Sequence, residues 1–403
     1  MPPTNRGVTN EHFSDGKYRD EIFHRGGSWT YNFSRKLKSF NNKYDVESWN
    51  LYKPRDSNFT NIHRVKEDNV TFKQIPCLNF NSIIFSIILL KELYNLKGKN
   101  RIIIHHQSVF TPLACMILLL FPSFIHVAQQ RGGEFPPEWK YKFRKRFVYH
   151  LESLVYSYSI KSLNFVFCSS LGSLAYMKQK LGNSRVLHFK GGAFDYKSNP
   201  IKSKKKLRTE LSLPQDKKLI IFLGQFRTWR NYDLFGKGSG KGVEMALEIC
   251  STLSKADSSI RGLFVGGKED DNRYELVNNS GHIVRKYMPN SEAMKYLQAS
   301  DICILPTADK EWIPFGDIPT CLVEALSFNI PVISKMLVHF RGSTEELQKL
   351  GFCLSRKENL LNSTKYVLNN LEKFSHSRNI VKKYYNWKTT IDKTAEVYDK
   401  LLN

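Results

Sequence analysis

The stretch Asp301–Ser334, DICILPTADKEWIPFGDIPTCLVEALSFNIPVIS, predicts a strand, a long loop, a helix and a second strand. Its apolar start, Asp301–Leu305, is typical of a parallel strand that is buried on both faces. Pro306 ends this strand, and the loop that follows is rich in proline, glycine and aspartate. Pro319 suits the first turn of a helix because its φ is fixed and its missing N–H leaves no helical bond unmade. The stretch therefore predicts an α/β fold built on a parallel sheet.

The first turn of this helix predicts a site for an anion. In open parallel sheets, ligands bind where the carboxyl ends of the strands meet helix N-termini. The backbone N–H groups of a first helical turn make no bonds inside the helix, so the turn around Pro319, Thr320 and Cys321 favours a phosphate group. Glu324 lies in the same helix. On its own, such an acid is either solvated or stabilised by the helix dipole.

The sequence that follows Glu324 resembles a known signature. Glu324 is followed by Ala-Leu-Ser, two further residues and Ile-Pro-Val-Ile. This block resembles the signature of retaining glycosyltransferases of family 4, which have the GT-B fold. The resemblance implies two Rossmann-like domains that face each other across a cleft, with a C-terminal helix that crosses back to the first domain. It also implies that Glu324 hydrogen-bonds the ribose hydroxyls of a nucleotide-sugar donor.

Length and composition are typical of two globular domains. The chain has 403 residues, of which 41% are hydrophobic and 24% charged. We expect an acceptor-side domain over residues 1–200, a nucleotide-sugar-binding domain over 201–380, and a terminal helix over 381–403 that packs on the first domain. The formal net charge of +24 favours polyanions or anionic membrane surfaces as neighbours. The seven cysteines show no Cys-x-x-Cys pair, which favours buried thiols in a reducing cytoplasm.

Two segments bear on membrane association. Val109–Ala128 contains no Lys, Arg, Asp or Glu and passes a crude test for a membrane span. Pro112 and Pro122 interrupt it, however, and a helix followed by a strand fits equally well. Tyr141–Tyr158 predicts a basic and aromatic helix, which suits either an anionic membrane surface or a solvated helix with its inner side in the core. With a polar N-terminus and no signal peptide, the expected localisation is cytoplasmic, on the inner face of the membrane.

The first domain contains two histidines at the end of a predicted strand. Ser82–Leu93 predicts an apolar helix, and Arg101–His105 predicts the buried strand that follows. His105 and His106 point to opposite sides of such a strand, so they make a poor metal pair. We expect His106 to cap the end of the strand.

In the family that the chain resembles, two loops of this domain face the substrates. A glycine pair, here Gly26 and Gly27, faces the donor phosphates and the acceptor. After the strand Phe124–Ala128, family members often carry a histidine that contacts the sugar or the acceptor. This chain has Gln130 and Arg131 there. The resemblance thus places Gln130 and Arg131 on the acceptor side.

The second domain opens with the buried strand Lys218–Gly224. Family members follow this strand with Gly-Arg and, after a turn, with Lys-Gly and a helix. The arginine and the lysine neutralise the donor diphosphate. Here Gln225 stands in the place of the arginine, and Lys241 matches the lysine. Arg227 and Arg230 are both candidates for the missing positive charge.

Further residues of this domain are expected at the donor. Gly224 and Gly266 end predicted strands, where glycine lets the backbone approach a nucleotide closely. Tyr287 lies in a block that flanks the nucleobase in the family. The second glutamate that family members usually carry is absent from its place in the long loop, and Glu311 and Asp317 are the nearest substitutes.

With the resemblance, these residues predict a hexosyltransferase. The donor is a nucleotide diphosphate sugar, a UDP- or GDP-sugar, and the acceptor is a hydroxyl of a glycan or lipid-linked molecule in cell-surface polysaccharide synthesis. Positive groups aimed at the leaving diphosphate stabilise the charge that develops there. The resemblance implies retention of configuration and no bound metal or other cofactor. The predicted catalytic residues are Lys241, Glu324, Arg227 and Asp317, the donor-binding residues are Gly26, Gly27, Gly224, Gln225, Arg230, Gly266, Tyr287, Glu311, Pro319, Thr320 and Cys321, and the acceptor-side residues are His106, Gln130 and Arg131.

Two other classes of function fit the same sequence. A sugar-nucleotide epimerase of the same fold would use carboxylates as acid and base. A non-catalytic GT-B-like binding protein fits the absence of the second glutamate and of the Gly-Arg arginine. Nucleic acid is not an expected partner, because no recognition element is evident.

Overall fold

The computed structural model describes residues 29–52, 62–80, 83–99, 101–107, 109, 111–130, 147–189, 201–226, 242–269, 272–306, 318–334, 340, 345–346, 349–353 and 360–403. The chain divides into two compact units. The first consists of Met1–Gly191, Pro314–Gly316 and Trp387–Asn403, and the second of Gly192–Ile313 and Asp317–Asn386. The C-terminal segment therefore belongs to the first unit.

Helices and strands alternate through most of both units. The described elements of the first unit are α1 (Trp29–Phe40), β1 (Val46–Tyr52), β2 (His63–Glu67), β3 (Val70–Pro76), β4 (Leu78–Phe80), β5 (Ile83–Phe85), α2 (Ile87–Asn95), β6 (Ile103–His106), α3 (Pro112–Leu120), β7 (Ile125–Gln130), α4 (Phe147–Ser159), β8 (Phe165–Cys168), α5 (Leu171–Leu181) and β9 (Val186–His188). Those of the second unit are α6 (Lys204–Glu210), β10 (Lys218–Leu223), α7 (Val243–Ala256), β11 (Ile260–Gly267), α8 (Asn272–Asn278), β12 (Ile283–Lys286), α9 (Asn290–Gln298), β13 (Ile302–Ile304), α10 (Thr320–Ser327), β14 (Val332–Ser334), β15 (Gly351–Cys353), α11 (Leu360–Leu368) and α12 (Ser377–Tyr385). The last helix, α13 (Trp387–Leu402), completes the first unit.

The first unit contains a parallel sheet with the strand order β6-β7-β8-β9. Parallel neighbours need crossover connections, and α3, α4 and α5 lie in the three connections. Strands β1, β3 and β2 form a second sheet, and β4 pairs with β5 in a hairpin. The predicted helix Ser82–Leu93 is wrong at its start. Ile83–Phe85 pairs as β5, and α2 begins only after Ser86, whose side chain caps it by accepting a hydrogen bond from the Leu89 N–H.

Two helix layers cover the parallel sheet of the first unit. Val127 and Phe167 pack in one core with residues of α1 and α13. Ala128 and Val166, one residue along each strand, pack in another core with residues of α3, α4 and α5. This alternation follows from the two-residue period of a strand.

The apolar segment Val109–Ala128 folds as a helix and then a strand, one of the two interpretations that the sequence left open. Helix α3 has nine residues, and Thr111 caps it by accepting a hydrogen bond from the N–H of Ala114. Pro122 lies between α3 and β7. Among the described residues, no helix has both the length and the apolar character that a membrane crossing requires.

The C-terminal helix α13 is held in the first unit by buried aromatic and polar contacts. The Tyr398 hydroxyl hydrogen-bonds Nδ1 of His105, and burial raises the pKa of Tyr398 above its ordinary value. The Tyr44 hydroxyl donates to Oδ1 of Asp399 over 2.6 Å. The return of a C-terminal helix to the first unit, which the resemblance implied, is thus observed.

The second unit contains a parallel six-stranded sheet with the order β12-β11-β10-β13-β14-β15. In sequence order, β11 and β12 are added on one side of β10, and β13, β14 and β15 are then added on its other side. The strand order therefore reverses between β10 and β13, and ligands of such sheets bind at the carboxyl ends of the strands beside a reversal of this kind.

A buried ion pair fixes α6 to this sheet. Nη2 of Arg208 lies 2.7 Å from Oδ2 of Asp301, and both side chains are largely buried. The same carboxylate oxygen accepts a hydrogen bond from the Leu219 N–H over 2.7 Å, while Nε of Arg208 donates to the Ala299 carbonyl over 2.9 Å. The pair thus joins the start of β13 to β10 and α6.

Candidate active site

Helix α10 places its first turn after β13, as the sequence predicted. Pro319 is the N-cap residue and Thr320 the first helical residue. The Pro319 carbonyl accepts a hydrogen bond from the Leu322 N–H over 3.0 Å. Thr320 is exposed, and no side chain of the described residues caps this turn. An exposed helix start without a side-chain cap suits an anionic ligand.

Glu324, in the next turn of α10, is buried with 8% of its surface exposed. Its Oε1 accepts a hydrogen bond from Nδ2 of Asn290, the first residue of α9, over 3.2 Å. A buried carboxylate is costly unless it is hydrogen-bonded. The position near the helix N-terminus also stabilises its negative charge. Glu324 is therefore not the solvated acid that the sequence allowed.

A residue of β13 lies close to this helix. Cys303 of β13 is fully buried, and burial raises the pKa of its thiol well above the ordinary value, with smaller contributions from Cys321 and Glu324. Cys321 and Glu324 of α10 thus lie close to the sheet.

Helix α12 holds the other end of α10. Nη1 of Arg378 donates to the Ser327 carbonyl over 2.6 Å, and the Ser377 hydroxyl donates to the Leu326 carbonyl over 2.8 Å. The last carbonyls of a helix have no partners inside it, and these bonds satisfy two of them. The orientation of α10, and with it the position of Glu324, is therefore fixed at both ends.

Two glycines bring the ends of β10 and β11 close together. Gly266 has φ +115°, and a Cβ atom there would lie 2.5 Å from the Gly224 carbonyl oxygen. The Gly224 N–H donates to the Val265 carbonyl over 2.9 Å. Only glycine fits position 266, for reasons of both backbone conformation and space. Gly224 is partly exposed at this edge, and the absence of a side chain there lets a ligand approach the backbone closely.

The chain after β10 is anchored by an aromatic residue that the sequence did not single out. Phe226 is buried against the rings of Phe222 and Phe264. It follows Gln225, which is half-buried. The sequence gives little indication that Phe226 is buried, because the apolar run of β10 ends at Leu223, three positions earlier.

Tyr287 follows β12 at the edge of the sheet. It is exposed, and its N–H donates to the Gly267 carbonyl over 2.9 Å. The ring is therefore available to a ligand beside the glycine end of β11. Gly242, which follows Lys241, has φ +76° and is the N-cap residue of α7, as the Lys-Gly block predicted.

Several predicted site residues lie outside the described residues. They are Gly26, Gly27, Arg131, Arg227, Arg230, Lys241, Glu311 and Asp317.

In the first unit, His106 is the last residue of β6 and only 1% exposed. Its Nε2 lies 3.0 Å from Nδ1 of His126. Nε2 of His126 lies 2.7 Å from the Phe121 carbonyl, so that nitrogen carries the proton. His126 Nδ1 must then accept, and His106 Nε2 must donate. Burial lowers the pKa of both imidazoles, so the pair is neutral.

This chain of hydrogen bonds leaves Nδ1 of His106 as a lone-pair acceptor. Among the described residues, it has no hydrogen-bond partner, and neither has the buried Oε1 of Gln107. Gln130 is the last residue of the adjacent strand β7, not part of the following loop as the sequence suggested. Its Oε1 accepts a hydrogen bond from the Val109 N–H over 3.5 Å. Buried acceptors therefore gather at the carboxyl ends of β6 and β7.

Residues 217–355, which span the six-stranded sheet, match the family model described as Glycosyl transferases group 1. Over this segment the second unit is similar to the group 1 glycosyl transferases. The resemblance seen in the sequence is thereby confirmed.

A 131-residue segment, 32% of the chain, is 28% identical to a protein of Bacillus subtilis (strain 168) named as the teichuronic acid biosynthesis glycosyltransferase TuaC. The matched segment spans 28% of the length of that relative.

Solved structures share the fold over most of the chain. Sucrose-phosphate synthase from Thermosynechococcus elongatus has a TM-score of 0.66 at 14% identity, covering 93% of this chain and 92% of its own. WaaG, a glycosyltransferase involved in lipopolysaccharide biosynthesis, has a TM-score of 0.59 at 12% identity, with coverages of 92% and 96%. An E. coli structure described as trehalose-6-phosphate, bound with UDP-2-fluoro glucose, has a TM-score of 0.60 at 11% identity, with coverages of 87% and 92%.

Proposed function

We propose that the chain is a retaining glycosyltransferase that moves a hexose from a nucleotide diphosphate sugar to a hydroxyl of a glycan or lipid-linked acceptor. The observation that carries this proposal is the buried Glu324, hydrogen-bonded to Asn290 one turn after the exposed start of α10. This arrangement lies within the segment that matches the group 1 glycosyl transferases.

The second unit binds the donor in this proposal. The pyrophosphate lies at the first turn of α10, where Pro319, Thr320 and Cys321 present the positive end of the helix dipole. Glu324 accepts hydrogen bonds from the ribose hydroxyls. Gly224, Gln225, Gly266 and Tyr287 line the ends of β10, β11 and β12 on the nucleotide side.

Residues outside the described part complete the donor site in the proposal. Lys241 and either Arg227 or Arg230 neutralise the diphosphate, and Asp317 or Glu311 contacts the sugar. The UDP-sugar is our first choice of donor, since the E. coli structure with the same fold holds UDP-2-fluoro glucose.

The acceptor contacts the first unit. Nδ1 of His106 and Oε1 of Gln107 are buried acceptors without described partners, which suits a ligand that brings hydroxyl donors. Gln130 and Arg131 belong to the same side. The similarity to a teichuronic acid biosynthesis glycosyltransferase supports an acceptor in cell-surface polysaccharide synthesis, in a protein that works at the inner face of the membrane.

The reaction breaks the bond between the anomeric carbon and the leaving phosphate oxygen, and forms a bond from the acceptor oxygen to the same carbon on the same face. The acceptor proton passes to an oxygen of the leaving diphosphate. The negative charge that develops on that group is stabilised by the N-terminal turn of α10 and by Lys241. The proposed reaction uses no resident metal or cofactor. We expect activity to persist in EDTA, and a loss that Mg²⁺ or Mn²⁺ restores would contradict this.

A screen of nucleotide sugars tests the proposal. Thermal unfolding of the full chain is followed with UDP-glucose, UDP-N-acetylglucosamine, GDP-mannose and ADP-glucose, because a ligand that binds only the folded state raises its stability. The stabilising donor is then used to measure sugar transfer or donor hydrolysis. Glu324→Gln is expected to abolish the stabilisation, whereas Glu275→Gln on the exposed surface of α8 keeps it. Conversion of the donor to an epimer without an acceptor, or no response to any nucleotide sugar, would overturn the proposal.

A further inference from the structure

Four helices of the first unit form neighbouring layers: α2 packs against β3, and α3, α4 and α5 pack on the parallel sheet. Leu93 of α2 and Ile117 of α3 share a buried cluster. Leu118 of α3, Tyr156 of α4 and Met177 of α5 share the next one. The inner sides of α2, α3, α4 and α5 are thus packed. We call their outer surface, together with Lys97, Lys99 and Arg101 after α2 and Lys161 after α4, the helix-layer face.

Exposed apolar side chains are concentrated on the helix-layer face. Eight of the fourteen large hydrophobic residues that are exposed in the described part of the chain lie here: Ile87, Tyr94, Leu119, Leu120, Leu154, Val155, Tyr158 and Leu171. Leu154, Val155 and Tyr158 fall on one side of α4, one and four residues apart. Single exposed apolar residues are ordinary on a soluble surface, but a concentration of this kind indicates a partner.

The exposed charges that the structure describes on this face all have one sign. Among the side chains that the structure describes there, the exposed ionisable groups other than His150 are Lys91, Lys97, Lys99, Arg101, Lys161, Lys178 and Lys180. The acid of α2, Glu92, is partly buried and paired with Lys73 at 3.2 Å. The side chain of Glu152 lies outside those described.

Lysines also stand beside the exposed aromatic rings. Nζ of Lys161 lies 6.0 Å from the ring centre of Tyr158, and Nζ of Lys97 lies 5.8 Å from that of Tyr94. Both partners of such a pair have an apolar body and a polar end, which suits the boundary between the acyl chains and the headgroups of a bilayer.

We propose that the helix-layer face binds the surface of an anionic lipid bilayer. The apolar side chains enter the boundary of the acyl chains, while the lysines and Arg101 contact the acidic headgroups. A second copy of the chain fits this face less well. A twofold interface brings a surface against itself, and here it would oppose lysine to lysine. The inference rests on the membrane location included in the proposed function and names the surface that makes the contact. The residues of this surface belong to the first unit and the donor residues to the second, so the two can be tested separately.

Vesicle binding tests this inference with the full chain. The protein is sedimented with vesicles of phosphatidylcholine alone and with vesicles that also contain phosphatidylglycerol. Binding is expected only to the second kind, and it should weaken with added salt because salt screens exposed charges. Equal binding to both kinds of vesicle, or to neither, would overturn the inference.

Matched variants locate the surface. Leu154→Glu is expected to weaken vesicle binding by roughly tenfold or more, since it removes a contact and adds a repelled charge. Leu276→Glu in α8 is the control, because Leu276 is 51% exposed and Leu154 56%. An unchanged circular dichroism spectrum and unfolding midpoint show that each variant folds. Equal losses in both variants would contradict the assignment of the face.

A third variant reports contact directly. Tyr158→Trp on α4 should show a blue-shifted emission and quenching by brominated lipids when anionic vesicles are added, whereas Tyr366→Trp on α11 should show neither. If light scattering instead reveals a dimer that Leu154→Glu dissociates, a second copy occupies the face and the lipid assignment is wrong. Nucleotide-sugar binding by Leu154→Glu should equal that of the parent chain, which separates failure of this inference from failure of the proposed function.

Discussion

The Nδ2 group of Asn290 donates a hydrogen bond to Oε1 of Glu324 over 3.2 Å, which links the start of α9 to the second turn of α10. The two residues are far apart in the chain and come together because α9 and α10 flank β13 in the sequence and pack on the same sheet. Asn290 therefore holds the acid in place through Oε1.

Asn290→Ala removes this hydrogen bond. If Glu324 binds the donor ribose, we expect KM for the nucleotide sugar to rise roughly fivefold with little change in kcat, since one hydrogen bond of about 1 kcal/mol is lost. Steady-state kinetics with varied donor checks this. Asn278→Ala, at the exposed end of α8, is the control and should match the parent chain. A fall in kcat at unchanged KM would contradict a role of Asn290 in donor binding.

Arg208→Met should destabilise the second unit strongly. It takes the guanidinium from the largely buried carboxylate of Asp301 and leaves that carboxylate only the more exposed Lys204 as a cationic partner among the described residues. Removing one member of a buried pair costs about 3 kcal/mol. Urea unfolding followed by circular dichroism measures the change. Lys295→Met is the contrast, since Lys295 pairs with Glu210 on the exposed surface and surface pairs contribute little. Similar losses in the two variants would contradict the role given to burial.

Gly266→Ala should lower stability by about 2 kcal/mol or more, because the residue adopts a conformation that L side chains avoid and its Cβ would lie 2.5 Å from the Gly224 carbonyl oxygen. Gly281→Ala separates the two causes. Gly281 has φ +77°, but no atom of the described residues lies within 4 Å of the place that its Cβ would take, so only the backbone cost applies. Urea unfolding compares the variants. An equal loss in both would show that the close approach of β10 and β11 is unimportant.

The neutral pair His106–His126 predicts a pH dependence of stability. Burial lowers both pKa values in the folded state, while in the unfolded chain these histidines take up protons below about pH 6.5. The contribution is therefore fully present above that pH and is lost as the pH falls below it. Unfolding free energies measured between neutral and mildly acidic pH should decline.

His106→Leu should make this decline shallower, although it also lowers stability at every pH because Nδ1 of His126 loses its donor. His376→Leu, at an exposed position, should leave the slope unchanged. A slope in His106→Leu equal to that of the parent chain would show that the pair does not titrate as its burial implies.

Much of the fold follows from local pattern. The apolar runs of β10 and β13 lie at the positions that the sequence predicts, because a strand buried on both faces needs uninterrupted apolar residues. Helix α10 begins where the sequence predicted a helix start, although Pro319 is its N-cap residue and Thr320 the first residue of the first turn. Short strands were harder to predict. The segment Ile83–Phe85 reads as part of a helix, since three apolar residues carry no period of their own.

The signature around Glu324 indicated a resemblance to glycosyltransferases, and residues 217–355 match the model of the group 1 glycosyl transferases. The signature did not show which residues Glu324 contacts. A hydrogen bond to Asn290, thirty-four positions earlier, depends on how α9 and α10 pack. The same holds for Phe226, whose burial against Phe264 depends on the pairing of β10 with β11.

The sequence alone therefore determined the two-unit α/β fold, the strand and helix around Glu324, and the resemblance to glycosyltransferases, because these depend on local conformational preference and on a contiguous motif. Only the tertiary structure showed that Glu324 is buried and hydrogen-bonded to Asn290. It also showed that Nε2 of His106 donates a hydrogen bond to Nδ1 of His126, and that exposed apolar and basic side chains of four helices lie on one face. Contacts between residues distant in the chain depend on packing, and no local pattern encodes them.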